Sequence, residues 1–413
     1  MNNKLDTLLK ENSKGYRYLA KGVTVTNDGY ESGLNNNDLI IGGSGSGKTT
    51  GYVCVNLNNP TGSMVVSDTK GNLYRKYADG LRKKGYDVKV LDFVNPEASV
   101  PYNPLAFIQK ESDIKKVALN IIPQNLDNTA LYWTRAAARY ISALIGYVLD
   151  ALPEEEHHMM SVMKLHQAFM HGSGKIIMEK WAVENPDSYA SRKFKMIKGT
   201  QSADKTWGCI LEFANEGLDI FDCKEYYNIF GSRETIDLHE IGRKKTVIFI
   251  NSSDNDMSMD SIVNLFNIQL IQVLIEEADK NQNGRLICPT RIIMDDFASS
   301  AKIENFDKLI SVIRSRDISV SLMLQSISQI KSMYNENGAM TIINNCDHIL
   351  YLGGSNDLES AVFIAEHINK TCNTVMNLES DKAILITRGK PCEIIDKIKP
   401  MDNETGLNVG NRV

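Results

Sequence analysis

The chain has 413 residues, 42% of them apolar and 23% charged. That is the balance of an ordinary globular protein, with enough apolar mass for two domains or for one domain carrying a large insertion. A net charge of -5 excludes a generally basic nucleic-acid coat, so any contact with nucleic acid has to be local. The 7 cysteines include no C-x-x-C pair, which suits a reducing compartment and argues against zinc. The start, Met1-Asn2-Asn3-Lys4, lacks the apolar segment of a signal peptide, and the run from Tyr140 to Leu149 is too short to span a bilayer. The expectation is a protein soluble on its own.

Residues 1–37 are a polar lead-in. Weak alternation from Tyr16 to Tyr30 predicts a hairpin at the edge of the domain that follows. The apolar run Asp38-Leu39-Ile40-Ile41 then reads as a buried strand emptying into Gly42-Gly43-Ser44-Gly45-Ser46-Gly47-Lys48-Thr49-Thr50. Gly42, Gly47, Lys48 and Thr49 fit the phosphate-loop spacing G-x-x-x-x-G-K-[ST], with a helix expected from Lys48 or Thr49. Glycines let successive backbone N–H groups turn inward around a phosphate, and the helix N-terminus adds its positive end. Lys48 is placed to reach the β- and γ-phosphates, and the Thr49 hydroxyl to sit on Mg²⁺. The whole loop from Gly42 to Thr50 is the candidate nucleotide cradle.

Next come a strand, Ser63 to Ser67, then Asp68-Thr69-Lys70-Gly71, a helix to Lys84, a stop at Gly85 and a strand from Asp87 to Leu91. Strand and helix alternating through short links predict an α/β fold with a parallel sheet. Asp68 and Lys70 fall at a strand's C-terminal end, beside where a ligand lies in such a sheet.

From about Glu111 to Phe221 helical spacing takes over, and all three tryptophans, Trp133, Trp181 and Trp207, lie here. The reading is an all-helical insertion. Its most basic stretch, Arg192 to Lys198, is either a DNA-facing patch or a solvated helix face. His157-His158 beside Glu154, Glu155 and Glu156 suggests a metal cluster, but consecutive helical residues point apart, which predicts an exposed charged turn. Gly172-Ser173-Gly174-Lys175-Ile176 repeats a GSGK core without the earlier glycine, with Ile in place of the hydroxyl, and predicts a surface turn.

Strands resume at Lys245 to Ile250, followed by a long helix from about Met259 to Asp279 and a strand ending in Met294-Asp295-Asp296. A helix over Phe306 to Ile313, a strand over Val320 to Leu324, a helix and a strand over His348 to Leu352 come next. Ala383 to Ile386 is the last clear strand, and Met401 to Val413 reads as a disordered tail. Asp295, an acid delivered by a buried strand, is the candidate for the Mg²⁺ shell; Asp296 is the candidate for polarising water. Gln325 ends the next strand, where an amide can touch the γ-phosphate. Arg314 and Arg316 are candidates for a finger into a neighbouring subunit's site.

The phosphate loop, Asp68 to Tyr74, Tyr102-Asn103-Pro104-Leu105, Asp295 to Ala298, Ile313 to Arg316, Leu324-Gln325-Ser326 and Asn345-Cys346-Asp347 occur in this order. Together they resemble the TraG-like type IV coupling proteins of conjugative elements, most of all those of Gram-positive bacteria. The resemblance covers about residues 35–390. It implies a RecA-like motor domain (1–110 and 222–400) interrupted by an all-α domain (111–221). It also implies ATP and Mg²⁺, hydrolysis in a homo-oligomeric ring, usually a hexamer, and recruitment of a relaxase–single-stranded DNA complex to a type IV secretion channel. Many members carry transmembrane helices before the motor. None is read here, so the resemblance implies a separate membrane anchor, or a truncated or soluble variant, at the cytoplasmic face of the membrane. The family's second acid is usually Glu, and Asp296 is shorter by one methylene, about 1.5 Å of reach.

Two readings stand side by side: a motor that moves single-stranded DNA or nucleoprotein, and a nucleotide-dependent docking platform with slow hydrolysis. A DNA pump of the FtsK type is a third, although its recognition domain should follow the motor.

Overall fold

Weak alternation at the start yields a hairpin. In the computed structural model, which describes residues 15–122, 128–199, 204–253, 255–295, 297 and 302–399, β1 (Tyr16–Ala20) pairs antiparallel with β2 (Val23–Thr26). The pair is a two-stranded sheet of its own within the unit that carries the large sheet. Asp296 and the tail 401–413 lie outside the described residues.

Chain order continues with β3 (Asp38–Ile41), a wide turn over Thr49–Val53 running into α1 (Cys54–Asn58), β4 (Ser63–Ser67), α2 (Asn72–Lys83) and β5 (Asp87–Asp92). Helices follow: α3 (Glu111–Asn120), α4 (Asn128–Ala151), α5 (Met159–Met170), α6 (Ser173–Glu184), α7 (Tyr189–Lys198) and α8 (Asp204–Leu218). The last part holds β6 (Thr246–Asn251), α9 (Asp260–Asp279), β7 (Thr290–Met294), α10 (Phe306–Ile313), β8 (Ile318–Leu324), α11 (Ile327–Asn344), β9 (His348–Tyr351), α12 (Leu358–Ile368), β10 (Lys382–Thr387) and β11 (Glu393–Asp396).

Nine strands form one sheet in the order β11-β10-β9-β3-β8-β7-β4-β6-β5. The run from β9 to β6 is parallel, with β10 and β11 antiparallel at one edge. Residues of β3, β6, β7, β8 and β9 are buried at every position, so both faces of the sheet are covered, as a continuous apolar run in a parallel sheet requires. β11 escaped the sequence reading because Glu393-Ile394-Ile395-Asp396 is short and mostly exposed.

The chain divides into two units. The described residues of Met1–Val90, Leu238–Asn251 and Ile271–Val413 make one, built on the sheet; Leu91–Asp237 and Ser252–Leu270 make the other, built of helices. The helical unit is therefore larger than the stretch 111–221 that helical spacing marks. The added segments are loops and short turns without periodicity together with the first half of α9, joined by aromatic contacts: Phe93 stacks on Phe230 at 6.3 Å, and Tyr102 meets Phe266 edge-on at 5.2 Å while its hydroxyl donates to Gln269 Oε1 at 2.6 Å. Residues Met257–Asp279 are long and apolar enough to cross a membrane by length and composition, but 67% of the apolar window is buried within the fold, as in a core helix.

Three details of the helical unit bear on the sequence expectations. Gly172 takes a left-handed φ of 83° between α5 and α6, and a Cβ on Gly174 would meet the Phe169 nitrogen at 2.5 Å. The GSGK repeat is thus a tight helix-to-helix junction with Gly174 buried. His158 is not exposed; it caps α5 by accepting from the Ser161 N–H, and burial lowers its pKa. In α7 the basic stretch buries Phe194 and Ile197, while Arg192 pairs with Glu111 at 2.6 Å and Lys198 with Glu179 at 3.2 Å.

In the sheet unit, a buried polar cluster fixes the start of β3. Arg17 of β1 donates from Nε and Nη2 to the two oxygens of Asp38, at 2.7 and 2.8 Å, and Arg291 of β7 donates to Asp38 Oδ2 at 3.1 Å. Tyr52 adds its hydroxyl to the same oxygen at 2.5 Å, and the Arg17 guanidinium also reaches His348 Nδ1 at 3.0 Å. Burial alone would raise the Asp38 pKa, but the Arg17 and Arg291 charges outweigh it and hold it at about 2. Burial, followed by Arg17, pushes His348 down to about 4, so it stays neutral.

Candidate nucleotide-binding site

β3 hands the chain to the glycine loop at the C-terminal edge of the sheet. Leu352 N donates to Ile41 O at 2.7 Å, Gly42 N to Leu324 O at 3.0 Å and Gly43 N to Gly353 O at 3.1 Å. The loop thus starts as an extension of the sheet, between β8 and β9. Approach is closest at Gly43, where a Cβ would fall 1.8 Å from Gly354 O. Gly45 and Gly47 hold positive φ of 73° and 95°, the backbone that turns successive N–H groups to one side and that residues with a Cβ resist. Lys48 donates from Nζ to Gly42 O at 2.7 Å and Gly43 O at 3.3 Å, which folds its ammonium across the loop.

The Thr49 hydroxyl donates to Asp295 Oδ2 at 2.9 Å, across 246 residues of chain. Thr49 opens the turn after the loop, and Asp295 follows the last residue of β7. A cavity of about 450 Å³ is lined by the loop from Ser44 to Thr50, by Asp68 and Lys70 after β4, by Asp295, and by Gln325 after β8. It brings together most of the residues that the sequence singled out. Gly42 and Gly43 form the buried base of the loop behind it. A phosphate chain fits this cradle: the positive-φ glycines leave it free of side chains, and Thr49 with Asp295 offers two oxygen donors of the kind Mg²⁺ takes alongside phosphates and water.

Arg314 is not in this cavity. It lies in the turn before β8, at the opposite end of the strand from Gln325, where Nη2 donates to Gly33 O at 3.2 Å. Arg316 pairs with Asp279 at 2.8 Å. Sequence reading missed the wall on the other side of the loop. A second cavity of about 300 Å³ shares Gly45, Ser46, Gly47 and Thr50 with the first and is closed by Lys397 and Ile398. Lys397 Nζ donates to Ser46 O at 3.3 Å, and burial lowers its pKa. No spacing in the sequence could have joined residues 351 positions apart.

Residues 4–390 match the family described as type IV secretory system conjugative DNA transfer. The chain belongs to this family. Among curated relatives it is similar to the protein VirD4 of Rhizobium radiobacter, 20% identical over 350 residues, 82% of this chain and 49% of that one. The chain spans about half the length of the curated relatives it matches. Its fold resembles the bacterial conjugative coupling protein TrwBdeltaN70 in complex with sulphate, with a TM-score of 0.71 at 12% identity, covering 95% of this chain and 92% of that one. It also resembles the plasmid coupling protein TrwB in complex with the non-hydrolysable ATP analogue ADPNP, with a TM-score of 0.69 at 14% identity and the same coverage. The α/β class, the mostly parallel central sheet and the nucleotide-binding ATPase fold of a coupling protein are thereby shared with this family.

Proposed function

We propose that the chain binds ATP with Mg²⁺, hydrolyses it, and uses the cycle to pass a relaxase–single-stranded DNA substrate into a type IV secretion channel. The observation that carries this reading is the Thr49–Asp295 hydrogen bond, which joins the phosphate loop to the acid that follows β7. TrwB, similar in fold, holds ADPNP in one structure and ADP with Mg²⁺ in another.

The loop N–H groups and Lys48 would hold the β- and γ-phosphates. Thr49 and Asp295 would hold the metal, which neutralises charge developing on the transferred phosphoryl group. Gln325 would report the γ-phosphate to α11, because its N–H donates to Gln329 Oε1 at 3.2 Å. Asp296 is the sequence's candidate for polarising water. Arg314, remote from the chain's own cavity, would act on a neighbour's nucleotide in a ring of copies, a hexamer in this reading. The second cavity beside the loop has room for a base and ribose. The helical unit would carry partner recognition, and a separate anchor would hold the assembly to the inner face of the cell membrane.

The short side chain of Asp296 favours a second reading, a docking platform with slow hydrolysis. Steady-state ATPase of the full chain with and without single-stranded DNA, against Lys48→Ala, tests both. The motor reading expects turnover that DNA stimulates and Lys48→Ala abolishes. A parent rate equal to that of Lys48→Ala would leave only the platform.

A further inference from the structure

We infer that Asp68 is the carboxylate that orients and deprotonates the attacking water; this rests on the ATPase reading above. β4 and β7 are parallel neighbours, with Val66 paired to Ile293. Asp68 follows the last residue of β4 and Asp295 the last residue of β7, and both line the cavity that holds Lys48 and Thr49.

Asp295 already accepts the Thr49 hydroxyl and is committed to the metal side of the cavity. Asp68 is 3% exposed and rigidly held. Its N–H donates to Ile250 O at 2.8 Å, its carbonyl accepts from Gly71 N at 3.2 Å, and its Oδ2 accepts from Tyr74 N at 2.8 Å. The last bond caps α2 and uses one oxygen. Among the described residues the other oxygen accepts no hydrogen bond, although the residue forms part of the cavity wall. A buried carboxylate fixed by its backbone, with one oxygen left to the cavity, is preorganised to accept a proton from water.

In the step, the water oxygen bonds to the γ-phosphorus while the bond from that phosphorus to the β,γ-bridging oxygen breaks. The bridging oxygen leaves on ADP with the electron pair. The water proton passes to Asp68 and is released with the phosphate.

Asp68→Asn separates this role from capping, because the amide oxygen can still accept from the Tyr74 N–H. The expected result for the full chain is a fall in kcat of about 10²-fold or more, with KM for ATP and melting temperature close to the parent. Asp68→Ser, whose hydroxyl can also cap, should lose kcat in the same way. Should the first variant not fold, the second decides the matter. Turnover within about threefold of the parent in the variant that folds would overturn the role, as would equal losses of melting temperature, ATP affinity and kcat. A parent rate no higher than that of Lys48→Ala would overturn the ATPase reading and this role with it. A parent rate well above it that survives Asp68→Asn overturns this role alone.

Discussion

The hydroxyl of Thr49 donates to Oδ2 of Asp295 at 2.9 Å, so the loop that would hold phosphate and the strand that would hold its metal are already joined. Thr49→Val keeps the shape of the side chain and removes the hydroxyl. It should raise the Mg²⁺ concentration needed for half-maximal turnover by about tenfold or more, with little change in melting temperature. Asp295→Asn should cut turnover by about 10²-fold. A Mg²⁺ titration of ATPase on both variants checks this.

Gly43 is the tightest point of the loop. An added Cβ would land 1.8 Å from Gly354 O, a backbone atom that cannot swing aside. Gly43→Ala should therefore displace the loop from the end of β9, weaken binding of a fluorescent ATP analogue severely, and cost about 1–3 kcal/mol of stability by overpacking. Denaturant melts and nucleotide titration read the two effects separately. Gly45→Ala meets no atom within 4 Å but sits at φ 73°, and should cost less than Gly43→Ala.

If the base is Asp68, the acid next to Asp295 in sequence is spared the proton transfer. Asp296→Asn is then expected to keep turnover within about tenfold of the parent, where a lost general base would cost about 10²-fold or more. Steady-state ATPase of Asp296→Asn and Asp296→Glu, with and without single-stranded DNA, measures the difference.

The cluster around Asp38 makes stability fall in acid through two groups. His348 is held at about 4 by burial and by Arg17, below the usual value of roughly 6.5. The unfolded chain therefore binds the proton first, and the neutral-His contribution is complete above roughly pH 6.5 and is lost as pH falls towards 4. Asp38, held at about 2, adds a second loss below roughly pH 3.9, complete only beneath its folded value. Denaturant midpoints from pH 7 to 4 should decline, and His348→Gln should flatten that decline.

Legibility in the sequence followed how local the signal was. The glycine loop, β3 and the acid after β7 were readable because a strand, a turn and a motif occupy one short stretch each. Asp68 could be placed beside the ligand, since strand ends in a parallel sheet collect there, but that it shares a cavity with Asp295 depends on which strands are neighbours. The close approach of Gly43 to Gly354 and the reach of Lys397 to Ser46 join distant segments through backbone atoms, which leave no pattern in side-chain type. β11 and the loops that the helical unit adds were hidden for a related reason: short, irregular segments carry no periodicity.

Arg17 lies on a hairpin outside the nine-stranded sheet, yet its guanidinium meets both oxygens of the first residue of β3. A shortened chain beginning just after the hairpin would retain the entire glycine motif while stripping a buried carboxylate of its main counter-charge. The minimal fragment able to bind nucleotide is therefore expected to begin upstream of Arg17. A nested set of N-terminal truncations should change abruptly from soluble to insoluble at that residue, well before the motif itself is touched.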